Sequence, residues 1–415
     1  MTNADGVRER SSFVRYQSPR IPLVRNIALA AMAAGIGLLL WPSLVLQDFI
    51  QYWSAARVLL SGGNPYDASA MLLLQQAIWP DELYVIRMWN PPWVLALITP
   101  LGFLDPSTAG VVWTSVHLLI FLACGNWLWR YFGGGEIGAW VFGAVTLFFP
   151  ATVLALGMGQ ISPLMLLGLC GFLHFVAKEE WALAGATAAL TLVKPHWVSL
   201  FWLAVILWSV RGGRFGVLLG AAGALLSAVG VSLIVNPEVM EQYLAAVGAE
   251  PPFYFIGPSA GVLFRLLFGW EKTWLQFLPT ALGGVWLIMH WMERRDSWEW
   301  GHEVSLVVLV SALVTAYGWP YDQVVFLIPL ACLVRTLGQK PSLLAWLGVS
   351  VFIGAGVVTA LFSSYPVLVY SVTSGSNPMV HALGEPNGFW HIVTIPLFLA
   401  GFLLAGRSVR QTASP

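Results

Sequence analysis

Charge is what this sequence lacks. Lys, Arg, Asp and Glu make up 10% of its 415 residues, against about 25% in ordinary soluble domains. So little polar surface cannot clothe a water-facing body of this length, which excludes a soluble globular fold. A net charge of zero offers no basic footprint for nucleic acid. Cysteine is scarce as well: Cys124, Cys170 and Cys332 sit singly within apolar runs. They read as small buried hydrophobes rather than as a disulfide frame. His196, His381 and His391 are scattered, without the spacing of a zinc site. There is no GxxxxGK[ST] and no convincing GxGxxG, so an ATP or nucleotide-sugar site has no support.

What the chain has instead is apolar length. Hydrophobic residues make up 58%, Trp alone contributes 22, and the mean hydropathy is +0.75. Runs of roughly 18 or more apolar residues with few charges are transmembrane candidates. The apolar runs are 26–46, 108–129, 137–156, 161–177, 181–193, 197–210, 215–235, 274–292, 304–319, 322–337, 342–362 and 389–406. The expected fold is an all-α polytopic membrane protein, a single domain with about twelve transmembrane helices. Arg8, Arg10, Arg15, Arg20 and Arg25 precede the first run without a convincing cleavage site, which reads as an uncleaved signal anchor.

A further stretch, 92–104, is short and broken by Pro100. If it does not cross, 15 of the 20 basic residues fall on the cytoplasmic side; if it crosses, only 8 do. The positive-inside rule selects the first arrangement. Both tails, 1–25 and 407–415, are then cytoplasmic, and 92–104 lies as a juxtamembrane helix in the outer interface. The far side carries a long first loop, 47–107, and two others, 236–272 and 363–388. Within the first loop, Phe49, Trp53, Ala56 and Leu60 stand at helical spacing and predict an amphipathic interfacial helix. The short runs 181–193 and 197–210 meet at Lys194-Pro195-His196, a corner that suggests a cavity cut into the bundle from outside.

The first loop opens on Asp48-Phe49, Tyr52-Trp53 and Ala55-Ala56. It continues through Gly63-Asn64-Pro65-Tyr66-Asp67 and ends near Asn90-Pro91-Pro92. Together with Gly159-Gln160, Lys194-Pro195 and Tyr321-Asp322-Gln323, this pattern resembles glycosyltransferase family 87, which includes polyprenyl-phosphate-mannose-dependent mannosyltransferases. The resemblance implies a GT-C-type helical bundle with a periplasmic catalytic loop. It also implies inverting transfer of a sugar, mannose first, from a polyprenyl-phosphate donor to a lipid- or glycan-linked acceptor hydroxyl at the inner membrane.

Such a hydroxyl needs a general base within reach, and Asp48 occupies the position that the resemblance assigns to it. The leaving phosphate needs its charge stabilised rather than an acid. Lys194 is the first candidate for that, as an unpaired lysine at membrane depth is costly; Arg57, Arg87 and Arg265 follow. Tyr66, Asp67, Gln160, His196, Tyr321 and Asp322 are candidate sugar or acceptor contacts, and Trp53 and Trp89 candidate stacking platforms. Asp48 stands alone between Gln47 and Phe49, where other GT-C families have paired acidic residues, so no metal or other cofactor is expected.

Each residue also has a structural reading. Asp48 suits a helix N-cap, Lys194 can snorkel to headgroups and Asp67 fits a turn. Asp322 can pair with a basic residue, and Arg57 and Arg87 with Asp67, Asp81 or Glu82. Three other roles compete, one of them a purely structural or assembly role such as a polysaccharide-export scaffold, since fold alone does not prove activity. A transporter or flippase would show internal repeats with paired broken helices, and no convincing repeat is visible. An O-antigen-ligase-like transferase would carry its large loop late in the chain, whereas here the first loop is the longest.

Overall fold

The structure, a computed structural model, describes residues 48–80, 85–250 and 259–339, with scattered helical residues between 343 and 403. The expected first span 26–46, both tails, the loop 363–388 and residues 251–258 of the loop 236–272 lie outside the described residues. All regular structure among the described residues is helical. Three helices are long and apolar enough to cross a membrane: Pro106–Tyr131, Phe215–Val235 and Pro320–Leu337. A fourth crossing results if Glu136–Thr146 and Pro150–Met158, bent by 52°, count as one broken span. Pro163–Ala177, Trp181–Val193 and Trp300–Val314 are apolar but shorter than the roughly 20 residues a crossing needs. The expected count of about twelve is therefore not reached among the described residues. The stretch Pro92–Phe103 is likewise too short to cross, being a run of 3-10, α and 3-10 turns with Pro100 at the start of the last.

Local chemistry sets where the helices start and bend. Asp105 caps Pro106–Tyr131 (α3) by accepting from the Thr108 amide at 3.0 Å, with Pro106 in the first turn, where its missing N–H costs nothing. Pro150 opens the second limb of the bent pair, and Gly159 closes it in a left-handed conformation, φ +69°. Beyond Trp181–Ala188 the chain tightens into a 3-10 turn, Ala189–Val193, extends at Lys194, and turns again over Pro195–Val198 before the helix Ser199–Arg211. The corner expected at Lys194-Pro195-His196 is thus a break in the helical backbone.

The first-loop helix departs from expectation. Phe49–Leu60 (α1) is not a half-exposed interfacial helix. Phe49 through Ala56, Val58 and Leu59 are all buried, and Arg57 is exposed. The predicted stripe is there, but Ile50, Ala55, Val58 and Leu59 make the remaining faces apolar too. Such a helix belongs inside a bundle. It packs beneath Pro92–Phe103, beside Ala68–Gln76 (α2) and against α3. Trp53 is buried with it and donates to the Leu104 carbonyl at 3.1 Å, so it is not a stacking platform.

Trp181–Ala188 and Phe215–Val235 approach closely through small residues, the usual device where helices meet in lipid. A Cβ on Gly220 would lie 2.0 Å from the Ala182 carbonyl oxygen, whereas one on Gly223 would meet nothing within 4 Å. Gly220→Ala is expected to lower the apparent melting temperature of the purified protein. Gly223→Ala on the same helix should leave it unchanged or raise it, since alanine favours a helix by up to about 1 kcal/mol over glycine. Thermal unfolding of the two variants in one detergent checks the pair.

Candidate active site

Four segments converge on one cavity of about 580 Å³, within the usual range for a small-molecule site. The start of α1 contributes Asp48 and Tyr52, the turn after Pro150–Met158 contributes Gln160, and the helix break contributes Lys194 and His196. The 3-10 segment Pro320–Phe326 contributes Tyr321 and Asp322. Arg87, Trp89 and Asn90 line it from the end of the first loop, and Tyr243, Tyr317 and Trp319 add further aromatic wall.

Hydrogen bonds tie the polar groups into a chain. Lys194 Nζ lies 2.5 Å from Asp322 Oδ1 and donates to Gln160 Oε1 at 2.9 Å and to Ser162 Oγ at 3.3 Å. Tyr52 donates its hydroxyl to the same Gln160 Oε1 at 3.0 Å. Gln160 Nε2 in turn donates to Asp48 Oδ2 at 2.7 Å. Ser162 also donates to Asp322 Oδ1, whose second oxygen accepts from the Trp319 amide at 3.2 Å. The Lys194 ammonium lies 4.7 Å from the Tyr321 ring centre, a cation–π distance.

Asp48 stands at the N-cap position of α1 yet makes no side-chain cap hydrogen bond; its carboxylate turns to Gln160 instead. The cap reading therefore fails. Outside the spanning segments, Asp48 has its carboxyl pushed up to about 6, chiefly by burial. The hydrogen bond from Gln160 and the charge of Lys194 pull it down, and Asp322 adds a smaller upward push.

Lys194 is not the unpaired lysine expected, nor does it snorkel. It is buried and paired with Asp322. Removing water from both charges is tolerable because each is neutralised and further hydrogen-bonded. The sealing role weighed for Asp322 is the one it plays toward Lys194, although Asp322 also faces the cavity.

The structure brings Asp48, Arg87, Gln160, Lys194, His196, Tyr321 and Asp322 together, and leaves four other candidates aside. Arg57 donates to the Gly102 carbonyl at 2.8 Å, on the far side of α1 from the cavity. Arg265 is buried in its own turn, donating to the Trp270 carbonyl and to Gln276 Oε1. Asp67 caps α2 by accepting from the Ala70 amide at 2.8 Å. Tyr66 is buried behind the cavity wall, against the Tyr243 ring, and donates to the Asn90 carbonyl at 3.1 Å. Arg87 pairs with Glu250 at 2.7 Å rather than with Asp67; Asp81 and Glu82 lie outside the described residues. His196 stacks on Tyr317 at 3.9 Å.

Several contributors escaped sequence reasoning: Ser162, Tyr317, Trp319 and Glu250. Asn90 is a different case. Its Nδ2 donates to the Val193 carbonyl at 2.9 Å, and Trp93 Nε1 to the Leu192 carbonyl at 2.9 Å. The Asn-Pro-Pro-Trp run was visible as a motif, and its task is to clamp the first loop onto the helix break.

The model of glycosyltransferase family 87 matches residues 89–316, more than half of the chain. The match includes Gln160, Lys194 and His196, with Asp48 before it and Asp322 after it. No curated protein and no solved structure matches the chain.

Lys194→Met and Asp322→Asn each leave one buried member of the pair uncompensated, a loss on the order of 3–5 kcal/mol. Each single variant is therefore expected to lose stability markedly. The double variant, with no buried charge left over, should recover most of it. A double-mutant cycle on unfolding free energies measures the coupling; additive effects would mean that the pair does not hold the bundle.

Proposed function

The chain belongs to glycosyltransferase family 87, and from that premise we propose that it transfers a sugar, mannose first, from a polyprenyl-phosphate donor. The acceptor is a hydroxyl on a lipid- or glycan-linked substrate. The reaction takes place with inversion, at the periplasmic face of the inner membrane. The observation that carries this reading is the placement of Asp48. A carboxylate at the mouth of a helix, free of any capping duty, faces a cavity that also holds a buried lysine and several aromatic rings.

Asp48 accepts the proton of the acceptor hydroxyl as its oxygen attacks the anomeric carbon. The bond from that carbon to the phosphate oxygen breaks on the opposite face, and the polyprenyl phosphate leaves with the electron pair. The departing group is already a stable anion, so no acid is needed. Lys194 and Arg87 supply positive charge to it, and the aromatic wall of Trp89, Tyr243 and Tyr317 suits a sugar ring. Lys194 acts here as part of a neutralised pair, so Arg87 at the half-exposed wall is the more available cation, with Glu250 as the group a phosphate would displace. The scheme uses no metal: Arg87, with Lys194 behind it, supplies the positive charge that the leaving phosphate needs.

A base works only when deprotonated, so a carboxyl raised to about 6 sets the acidic limb of the activity profile near that pH. Activity should climb as pH rises through 6 and fall off below it. Asp48→Asn keeps the size of the side chain and removes the base. It should reduce turnover to a few per cent or less, while donor binding stays within about twofold. Transfer assays with the purified protein and a panel of short-chain polyprenyl-phosphate sugars, run from pH 4.5 to 8, test both points. Wild-type turnover in Asp48→Asn, or a profile flat through 6, would count against the assignment.

A further inference from the structure

Gln160 was a candidate sugar contact, but its bonding suits another task. A primary amide has an accepting end and a donating end, and here the neighbours fix which is which. The ammonium of Lys194 has only hydrogens to give, and it sits 2.9 Å from one end, beside the Tyr52 hydroxyl at 3.0 Å. That end must be Oε1. The other end, Nε2, then meets Asp48 Oδ2 at 2.7 Å. Turned over, the amide would set N–H against ammonium and oxygen against carboxylate, two repulsive contacts at once.

The backbone reinforces the arrangement. The Asp48 amide donates to the Met158 carbonyl at 2.8 Å, and the Gln160 amide to the Ala155 carbonyl at 2.8 Å. The Gly159 carbonyl between them accepts from Trp113 Nε1 at 2.8 Å. Asp48 and Gln160 are thus anchored to the same turn before their side chains meet.

We propose that Gln160 is a positioning residue: it pins one oxygen of Asp48, leaves the other facing the cavity, and relays the lysine's positive charge to that carboxylate. This inference rests on the reading of Asp48 as the base. The ionisable groups facing Asp48 are Tyr52 on its own helix, Lys194 at the helix break, and Tyr321 and Asp322 on the 3-10 segment. Gln160 touches two of these, Lys194 and Tyr52, as well as Asp48 itself. Hydrogen bonds to an ionised carboxylate favour that form. Loss of the bond should therefore move the Asp48 titration upward.

The experiment reads protonation without requiring turnover. Infrared titration of the full-length protein in detergent, with the Asp48→Asn variant subtracted, isolates the Asp48 carboxyl band. In Gln160→Met its midpoint should rise by about one to two pH units above that of the wild type, the size of one charge-assisted hydrogen bond. The acidic limb of transfer should move by the same amount, with donor affinity changed less than about twofold. Gln160→Asn, one methylene too short to bridge Lys194 and Asp48, should shift the midpoint the same way and serves if the methionine variant does not fold. An unmoved midpoint in a folded variant overturns the proposal. So does an unmoved limb with donor affinity down tenfold, the signature of a sugar contact. A shifted midpoint in a protein that transfers no sugar keeps the positioning role and defeats the glycosyltransfer reading instead.

Discussion

Lys194 and Asp322 meet at 2.5 Å inside an apolar helical bundle, and neither could remain charged there alone. Their attraction is useful only because the lysine has two further oxygen partners and the aspartate two further donors. That requirement fixes the rest of the site. Gln160 must present its oxygen to the lysine, so its amide nitrogen turns toward Asp48. Ser162 must reach both charges, accepting from the lysine and donating to the aspartate. The segment Pro320–Phe326 must run as a 3-10 helix that points the Trp319 amide inward. A site built this way is polar where the membrane protein is otherwise most apolar, and each polar group in the chain is held by its neighbour.

The backbone has to be irregular for this to work. A continuous α-helix satisfies its own amides and carbonyls and leaves nothing for side chains or substrate. Lys194 in a non-helical conformation (φ −141°, ψ 74°), Gly159 in the left-handed region and the 3-10 run at Asp322 are three interruptions, and the cavity lies where they come together. Proline marks two of them, at 195 and 320, and also opens the helix Pro163–Ala177 just past the third. Short apolar helices such as Trp181–Val193 end where such interruptions begin.

Much of this could be read from the residues. Scarcity of charge established the membrane class, and Lys-Pro-His between two short apolar runs marked the helix break. Asp48 stood out as a single carboxylate at the edge of a span. Other features could not be read, for reasons that are physical. The partner of Lys194 lies 128 residues away, and no local pattern encodes that distance. Arg57 looked available because basic residues are few on its face of the protein; nothing nearby in sequence shows that the Gly102 carbonyl takes it. The burial of α1 was legible in principle. Apart from Gln51, Ser54 and Arg57 its residues are apolar or aromatic, and weight given to one stripe hid the others. Tyr66 and Asn90 were visible as a motif, but a motif dense in turn and hydrogen-bonding residues reads equally as a site or as a clamp; here Asn90 forms the clamp with Trp93, and Tyr66 holds the Asn90 carbonyl behind it.

That clamp has a bearing on how the molecule is made. Asn90 reaches the Val193 carbonyl across 103 residues, and Trp93 reaches the Leu192 carbonyl across 99. A chain emerging from the ribosome therefore delivers the loop long before the groove that will receive it. During that interval Asn90 and Trp93 have no carbonyls to hold. When the helix break does arrive, its Leu192 and Val193 carbonyls are met by donors made about a hundred residues earlier. The order of synthesis thus lets the Asn90–Trp93 clamp close only after the helix break has been made, so the first loop and the break reach their final form together.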